Sequence, residues 1–260
     1  MTLTEARAAL NQLARAIEKR PGRVHLEFHG PVAMLTVDNP SARNAFTLDM
    51  MTQLADAVIA LDEWEGAALV LRSSDPAVFC AGGHLGQVKR ALKGREEAHL
   101  MATAMSTVLD TLLDLPIVSV AVLGGAAIGG GAELATACDF RVASPSASIH
   151  FVQSRLGITT GWGGAGRLVR HVGRRRALWM LLDGEPVDAE SAREWGLVDA
   201  IHEDAGTAAR ALLDVVTARA PAVARSVKRQ VVGDDASSAF AEVWGGPSHR
   251  EALEALRRHE

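Results

Sequence analysis

A lone acid beside two runs of glycine is the strongest chemical signal in this chain. The stretch Val120–Asp139 reads VAVLGGAAIGGGAELATACD. Its glycines, Gly124, Gly125 and Gly129 to Gly131, let a backbone approach a ligand closely. Helix-forming residues follow over Ala132–Ala137 without a breaker, and N–H groups at a helix start face an anion or a developing oxyanion. Glu133 falls in the first turn of that helix. Together these features suit chemistry on a carbonyl. The competing reading is a close helix–strand contact that needs small residues, with Glu133 complementing the positive helix end. No G-x-G-x-x-G register fits, and no Gly-Lys-Ser/Thr follows Gly124 and Gly125, so neither a dinucleotide fingerprint nor a Walker loop is present.

A second glycine loop, Ala81–Gly82–Gly83–His84, follows the extended segment Val78–Cys80 and leads into helix-forming Leu85–Lys93. The first half of the chain therefore carries one device twice: strand, glycine loop, helix start. Two such loops offer two backbone N–H donors to one oxygen, which is what an oxyanion hole requires.

Each loop needs a strand before it and a helix after it, and the periodicity supplies both. Val120–Leu123 is a short β-branched run that predicts a buried strand, opened by Pro116. Earlier, Leu3, Ala6, Leu10, Leu13 and Ile17 predict an amphipathic helix over Thr2–Arg20, ended by Pro21–Gly22 and docked on the body or on a neighbouring subunit. Val24–Phe28 and Val32–Val37 read as strands around His29–Gly30–Pro31. Leu48–Ala60 is helical, Ala67–Arg72 is an apolar strand, and a long helix runs from about Glu96 to Asp114. Phe140–Ala143 and Ile149–Val152 are further strands, and Gly157–Gly166 is a glycine-rich loop around Trp162. Ala165–Val172, Arg174–Leu182 and Ala189–Trp195 read as helices. From Ala205 onward the pattern is helical, interrupted at Pro221 and at Gly245–Gly246–Pro247. The expectation is an α/β body with a helical tail, divided into an N-terminal helical extension (1–22), a core (23–200) and a C-terminal helical region (201–260).

Composition narrows the function. The 260 residues are 48% hydrophobic and 22% charged, ordinary for a soluble globular protein. A net charge of -4 argues against a nucleic-acid surface, and Arg174–Arg176 reads as a solvated helix face. Cys80 and Cys138 are the two cysteines, too few for a disulfide framework or a metal spacing; they suit a reducing, cytoplasmic compartment and read as small buried hydrophobes. The N-terminus, with Glu5 and Arg7, lacks the apolar segment of a secretory leader, and no run of about 18 apolar residues predicts a membrane span. Tyrosine is absent, which removes one acid/base type.

Read together, the motifs resemble the crotonase (enoyl-CoA hydratase/isomerase) superfamily from about Val24 to the C-terminus. The resemblance rests on Asn39–Pro40 with Arg43–Asn44–Ala45–Phe46, on Phe79–Cys80–Ala81–Gly82–Gly83, on Ile128 to Leu134, on Cys138–Asp139 and on Gly196–Leu197–Val198. It implies a crotonase-type ββα spiral core, a C-terminal helical region used in trimer formation, and an acyl-coenzyme A thioester as substrate. A homotrimer or a dimer of trimers is expected, with no nucleic-acid or membrane partner, no metal, and no cofactor beyond the coenzyme A moiety of the substrate. Carried over by position, the oxyanion-hole donors are the N–H groups of Gly83 and Gly130. Ala42, Arg43, Ala81, Gly82 and Leu85 match segments lining the coenzyme A moiety, and Glu133 matches the first catalytic glutamate of the hydratases.

The second hydratase glutamate is missing. Counting back from Leu156–Gly157, its Pro-Glu pair is replaced by Val152 and Gln153. Glutamine exchanges no proton at neutral pH, which argues against ordinary hydration. The run from Gly130 to Arg141, Phe151–Val152, Gly161–Trp162–Gly163–Gly164 with Arg167–Leu168–Val169, and Val243–Trp244–Gly245–Gly246–Pro247 are similar to the ethylmalonyl-CoA decarboxylase branch of the family. His84 stands where the family usually carries aspartate.

This resemblance implies decarboxylation of a short alkylmalonyl-CoA through an enolate held by Gly83 and Gly130. Trp162, Gln153 and Phe151 are the candidate wall, and Glu133 is the candidate proton donor. Each has a plainer alternative: a helix-dipole complement at Glu133, a backbone-bonded wall residue at Gln153, core packing at Trp162, and a loop-stabilising partner at His84. Trp244 reads as packing of the C-terminal region or a trimer contact. Two other functions stay open: another crotonase reaction run with one glutamate, such as hydration or isomerisation, and a non-catalytic trimeric protein that binds acyl-CoA or RNA.

Overall fold

The computed structural model describes residues 1–257. Its strands form two sheets that the chain visits alternately. The larger runs in the order β1 (Arg23–His29), β2 (Val32–Asp38), β3 (Ala68–Ser73), β5 (Val118–Leu123), β7 (Phe140–Ala143) and β10 (Ala200–Ile201). The smaller runs β4 (Val78–Cys80), β6 (Ala126–Ile128), β8 (Ser148–His150) and β9 (Val187–Asp188). After the β1–β2 hairpin every pairing in the large sheet is parallel, and β4, β6 and β8 are parallel to one another. Successive turns thus give one strand to each sheet before a helix returns the chain: the ββα spiral expected from the sequence.

The central strands are near-continuous apolar runs because both faces of the large sheet are covered. On one face α1 (Leu3–Arg15), α2 (Leu48–Asp62) and α4 (Arg95–Asp114) bury Leu10, Leu13, Leu54, Val58, Met105 and Leu109 in a core shared with Leu35, Leu69 and Leu71. On the other, α8 (Ala205–Thr217) lays Ala205, Ala209 and Leu213 over Val70, Val120 and Val142. Three further helices follow, α9 (Pro221–Val232), α10 (Ala236–Val243) and α11 (Pro247–Arg257). Buried Lys228 of α9 pairs with Asp139, whose other oxygen accepts from the N–H and hydroxyl of Ser119. No described helix is long and apolar enough to cross a membrane.

Three local expectations need correction. The first helix stops at Arg15 rather than Arg20, capped at its start by a reciprocal Thr2–Glu5 box. Beyond it the chain leaves helical geometry, and the Glu18 carbonyl accepts from the Gln87 carboxamide at 2.9 Å. Ala126–Ile128, read as part of a glycine turn, is a strand: alanine has little intrinsic strand preference, and pairing on both sides imposes it. The predicted strand Ile149–Val152 ends at His150 and passes into a 3₁₀ turn over Val152–Leu156, closed by Gly157 in the left-handed region. The two helices predicted around Gly173 are there, as halves of α6 (Gly164–Asp183) broken at that glycine, where φ is +73°.

A polar network joins α6 to the sheet. Buried Arg141 donates to the carbonyls of Leu197, Cys138 and Asp139, and its Nη2 lies 3.3 Å from His171 Nδ1. Arginine only donates, so Nδ1 accepts and Nε2 carries the hydrogen toward the Thr136 carbonyl. Burial, reinforced by the Arg141 guanidinium, lowers the His171 pKa to about 4. Below the unfolded value of 6.5 the unfolded chain binds a proton that the folded chain does not. Stability therefore falls as pH drops from 6.5 toward 4, by up to about 3 kcal/mol from this group. Denaturant unfolding across that range should show a shallower pH dependence for His171→Gln than for wild type; equal slopes would contradict the assignment.

Candidate active site

The site lies where three turns of the spiral leave the small sheet. Because β4, β6 and β8 are neighbours, the segments after them, Ala81–His84, Gly129–Gly130 and Phe151–Gln153, are set side by side. A methyl group added at Gly82 would lie 2.9 Å from Gly130 N and from Ile128 O, so the two glycine loops touch. Gly82 also has φ +86°, which a side chain resists. Gly124 and Gly125, the other half of the glycine signal, serve packing instead: they admit the backbone of Pro76 and Ala77.

The surrounding hydrogen bonds leave two amides free. Gly82 O accepts from Phe46 N, His84 N donates to Phe46 O, and Gly129 N donates to His150 O. Among the described residues, the N–H groups of Gly83 and Gly130 have no such partner. The Ala42–Arg43 segment joins the same cluster, with Ala81 N donating to Arg43 O at 3.1 Å. Arg43 and Asn44 both adopt left-handed backbone, φ +54° and +56°. Buried Asn44 holds this turn by accepting from Asn39 N at 2.7 Å and donating to Ser73 Oγ and Val78 O.

Trp162 roofs the two glycines. Its indole is 3% exposed. Ring atoms lie 2.7 Å from a methyl placed on Gly130 and 3.8 Å from one on Gly83. Phe46 meets it edge-on with ring centres 5.7 Å apart. Trp162, a candidate wall residue in the sequence, is thereby set beside both glycines.

Glu133 is the most heavily bonded side chain of the site. Its carboxylate is 2% exposed and accepts four hydrogen bonds. Oε1 takes Gln153 Nε2 at 2.9 Å and Gly161 N at 3.2 Å; Oε2 takes Trp162 N at 2.7 Å and Gly164 N at 2.8 Å. Glu133 therefore complements the N-terminus of α6 as well as standing in the first turn of its own helix, α5 (Gly130–Ala135). Burial raises its pKa, opposed by the Gly164 and Trp162 amides, the Arg167 charge and Gln153. Because all four neighbours donate, the Gln153 amide is oriented with Nε2 toward Glu133, which leaves its buried Oε1 without a partner.

The other predicted residues lie nearer the rim. His84 caps α3 (Leu85–Ala91), its Nδ1 accepting from Gln87 N at 3.3 Å, so the neutral ring carries its hydrogen on Nε2. Leu85 is 70% exposed. Burial pushes both cysteine thiols up to about 12, which leaves neither as a nucleophile at neutral pH. Trp244 is apart from this cluster, stacked between Phe240 and His249 on exposed C-terminal helices. Among the described residues no group of three or more His, Cys, Asp or Glu is placed to hold a metal. Arg167, quoted above only as part of a motif, is a site residue that sequence reasoning missed: it is 1% exposed and binds the Trp162 carbonyl, Asp110 and the Glu133 carbonyl.

Fold and site together define a class: a ββα spiral that sets two unpaired backbone amides beside one buried carboxylate. Comparison with known proteins agrees. The model of the family described as Enoyl-CoA hydratase/isomerase matches residues 27–242. Ethylmalonyl-CoA decarboxylase of Danio rerio is 39% identical over 247 residues, covering 88% of this chain and 81% of its own. The protein of the same name from Gallus gallus is 36% identical over 240 residues, 86% and 80% of the two chains. The crystal structure of an enoyl-CoA hydratase from Bacillus anthracis superposes with a TM-score of 0.83 at 25% identity, over 91% of this chain and 96% of its own. The chain belongs to the enoyl-CoA hydratase/isomerase (crotonase) superfamily and resembles its ethylmalonyl-CoA decarboxylase branch.

Proposed function

We propose that this protein is a decarboxylase of a short alkylmalonyl-CoA, ethylmalonyl-CoA or methylmalonyl-CoA. The observation that carries the reading is the pair of unpaired amides at Gly83 and Gly130, roofed by Trp162 and flanked by one acid, Glu133, with an amide at Gln153. The names of the relatives from Danio rerio and Gallus gallus support the same reaction.

In this reading the thioester oxygen accepts from both glycine amides. The bond between Cα and the carboxylate breaks, CO2 leaves, and the electron pair moves into the Cα–C bond while the thioester oxygen becomes an enolate. The two donors bind that oxygen more strongly as charge develops, and one such donor is worth about 2.7–4 kcal/mol in other enzymes. The enolate then takes a proton at Cα from Glu133, which regains one from water. Glu133 suits this role because burial raises its pKa. Its proton has one natural seat, Oε1: both backbone donors to Oε2 are short, whereas the Gly161 contact at Oε1 is the longest of the four, at 3.2 Å. Trp162, Phe151 and Gln153 wall the space in which the carboxylate is held out of the thioester plane. Ala42, Arg43, Ala81, Gly82 and Leu85 line the path of the coenzyme A moiety, and His84 holds the loop that presents Gly83. The reading also expects a homotrimer or a dimer of trimers; exposed Leu178, Trp179 and Leu182 on the second half of α6 offer an apolar face for assembly.

Mass spectrometry of purified protein with ethylmalonyl-, methylmalonyl- and crotonyl-CoA in parallel tests the proposal. Loss of CO2 from a malonyl thioester, with crotonyl-CoA unhydrated, is the expected result. Rapid hydration of crotonyl-CoA with malonyl thioesters untouched would replace it with single-glutamate hydration. Tight binding without turnover would make the chain a non-catalytic acyl-CoA binder.

A further inference from the structure

Arg167 lies outside the reacting cluster yet contacts the segments that shape it. Its guanidinium is 1% exposed. One end, Nη1, binds Asp110 Oδ1 at 2.5 Å on α4, and Asp110 in turn accepts from Ser106 Oγ at 3.1 Å. The other end, Nη2, donates to the Trp162 carbonyl and lies 3.5 Å from the Glu133 carbonyl. A methyl on Gly163 would sit 2.9 Å from Nη1 and would run into Ser106 Oγ, so the Gly161–Gly164 turn rests directly on this guanidinium and on α4. That turn carries the indole over Gly83 and Gly130, and it donates three N–H groups to Glu133. A planar fork is suited to bridging a carboxylate and a carbonyl in this way; an ammonium is a point charge and fixes only one.

We infer that Arg167 is a positioning residue that sets acyl-chain specificity: the Asp110–Arg167–Trp162 strut holds the indole against the two glycines as a fixed wall of the site and so limits the acyl groups the site accepts to short ones. This inference rests on the acyl-CoA reading given above. The indole is pinned from the side by Phe46, from the turn by Arg167, and from below by the glycines themselves. With the strut cut, the turn loses its anchor to α4 and the roof lifts.

The test compares wild type with Arg167→Met, Arg167→Lys and Asp110→Ala. Asp110 is half-exposed, so its variant removes the outer anchor with little risk to folding. Calorimetry with butyryl-CoA and octanoyl-CoA, which carry no carboxylate to lose, reads chain-length preference without any reaction. Wild type should prefer butyryl-CoA. Arg167→Met should shift the affinity ratio toward octanoyl-CoA by about tenfold or more, the scale at which a pocket wall discriminates between chain lengths. Asp110→Ala should shift it in the same direction by less. Arg167→Lys should recover thermal stability relative to methionine without recovering the ratio, an outcome that a purely structural arginine would not give. A second readout needs no ligand. In a chain with Trp64, Trp179, Trp195 and Trp244 replaced by phenylalanine, acrylamide should quench Trp162 emission several-fold more strongly once Asp110 is alanine. If Asp110→Ala and a folded Arg167 variant keep the wild-type affinity ratio and the wild-type quenching, the inference is overturned. If wild type binds neither thioester while the quenching changes as expected, the acyl-CoA reading fails and specificity goes with it, but the strut stands.

Discussion

Glu133→Gln should lower the decarboxylation rate constant by about 10²- to 10⁴-fold, the usual contribution of a positioned acid or base. It should also lower the melting temperature, and the reason is geometric. Every group around the carboxylate donates: Gln153 Nε2 and Gly161 N on one oxygen, Trp162 N and Gly164 N on the other. A carboxamide has one acceptor oxygen, so either orientation turns its NH2 against donors and leaves them unsatisfied, at about 1–3 kcal/mol. Rate and stability must therefore be measured together, with single-turnover kinetics at a temperature where circular dichroism shows the variant folded. A folded Glu133→Gln enzyme that decarboxylates at the wild-type rate would remove the proton-donor role and leave Glu133 as the cap of α6 alone.

The second large effect is expected from Gly130→Ala. The new methyl would sit 2.7–2.9 Å from three atoms of the Trp162 ring. That ring has little room to retreat, held by Phe46 and by the turn that Arg167 anchors. The methyl thus displaces the indole or shifts the Gly130 amide beneath it. Activity should fall by about 10²- to 10³-fold, as when an oxyanion donor is lost, and overpacking should cost about 1–3 kcal/mol. Gly166→Ala is the control: it lies in α6 with nothing within 4 Å of the added methyl. That variant should be neutral or gain up to about 1 kcal/mol from helix propensity. Equal activity in Gly130→Ala and wild type would show that the seating of Trp162 on Gly130 does not shape the site.

What the sequence disclosed and what it hid follow from the range of the interactions. Strand–loop–helix order is local, so both glycine loops, Glu133 and the break at Gly173 were legible from neighbours in the chain. Composition alone did not tell which glycines face the site, because Gly124 and Gly125 look like Gly82 and Gly83 but admit the Pro76–Ala77 backbone instead; the resemblance singled out Gly83 and Gly130. The donors to Glu133 come from 20 to 31 residues away, from Gln153 and from the glycine-rich turn around Trp162, and no local pattern shows that they converge on one carboxylate. Gln153 was legible through the departure it makes from the hydratase pattern, and its bond to Glu133 gives that departure a physical meaning. Arg167 was hidden among many surface arginines, since nothing local distinguishes a buried guanidinium from a solvated one. The short strand Ala126–Ile128 was hidden because its stability lies in its two partners rather than in its own residues.

A thioester enolate that receives its proton at one face from Glu133 is the central step of the proposed reaction, and deuterium incorporation reads that event directly. Ethylmalonyl-CoA is incubated with the enzyme in D2O, and the butyryl-CoA formed is analysed by mass spectrometry and by the configuration at its α-carbon. The predicted result is one deuterium per product molecule in a single configuration, with folded Glu133→Gln forming product far more slowly and losing that stereochemical bias. A racemic α-carbon from wild type, or no loss of CO2 at all, would contradict it.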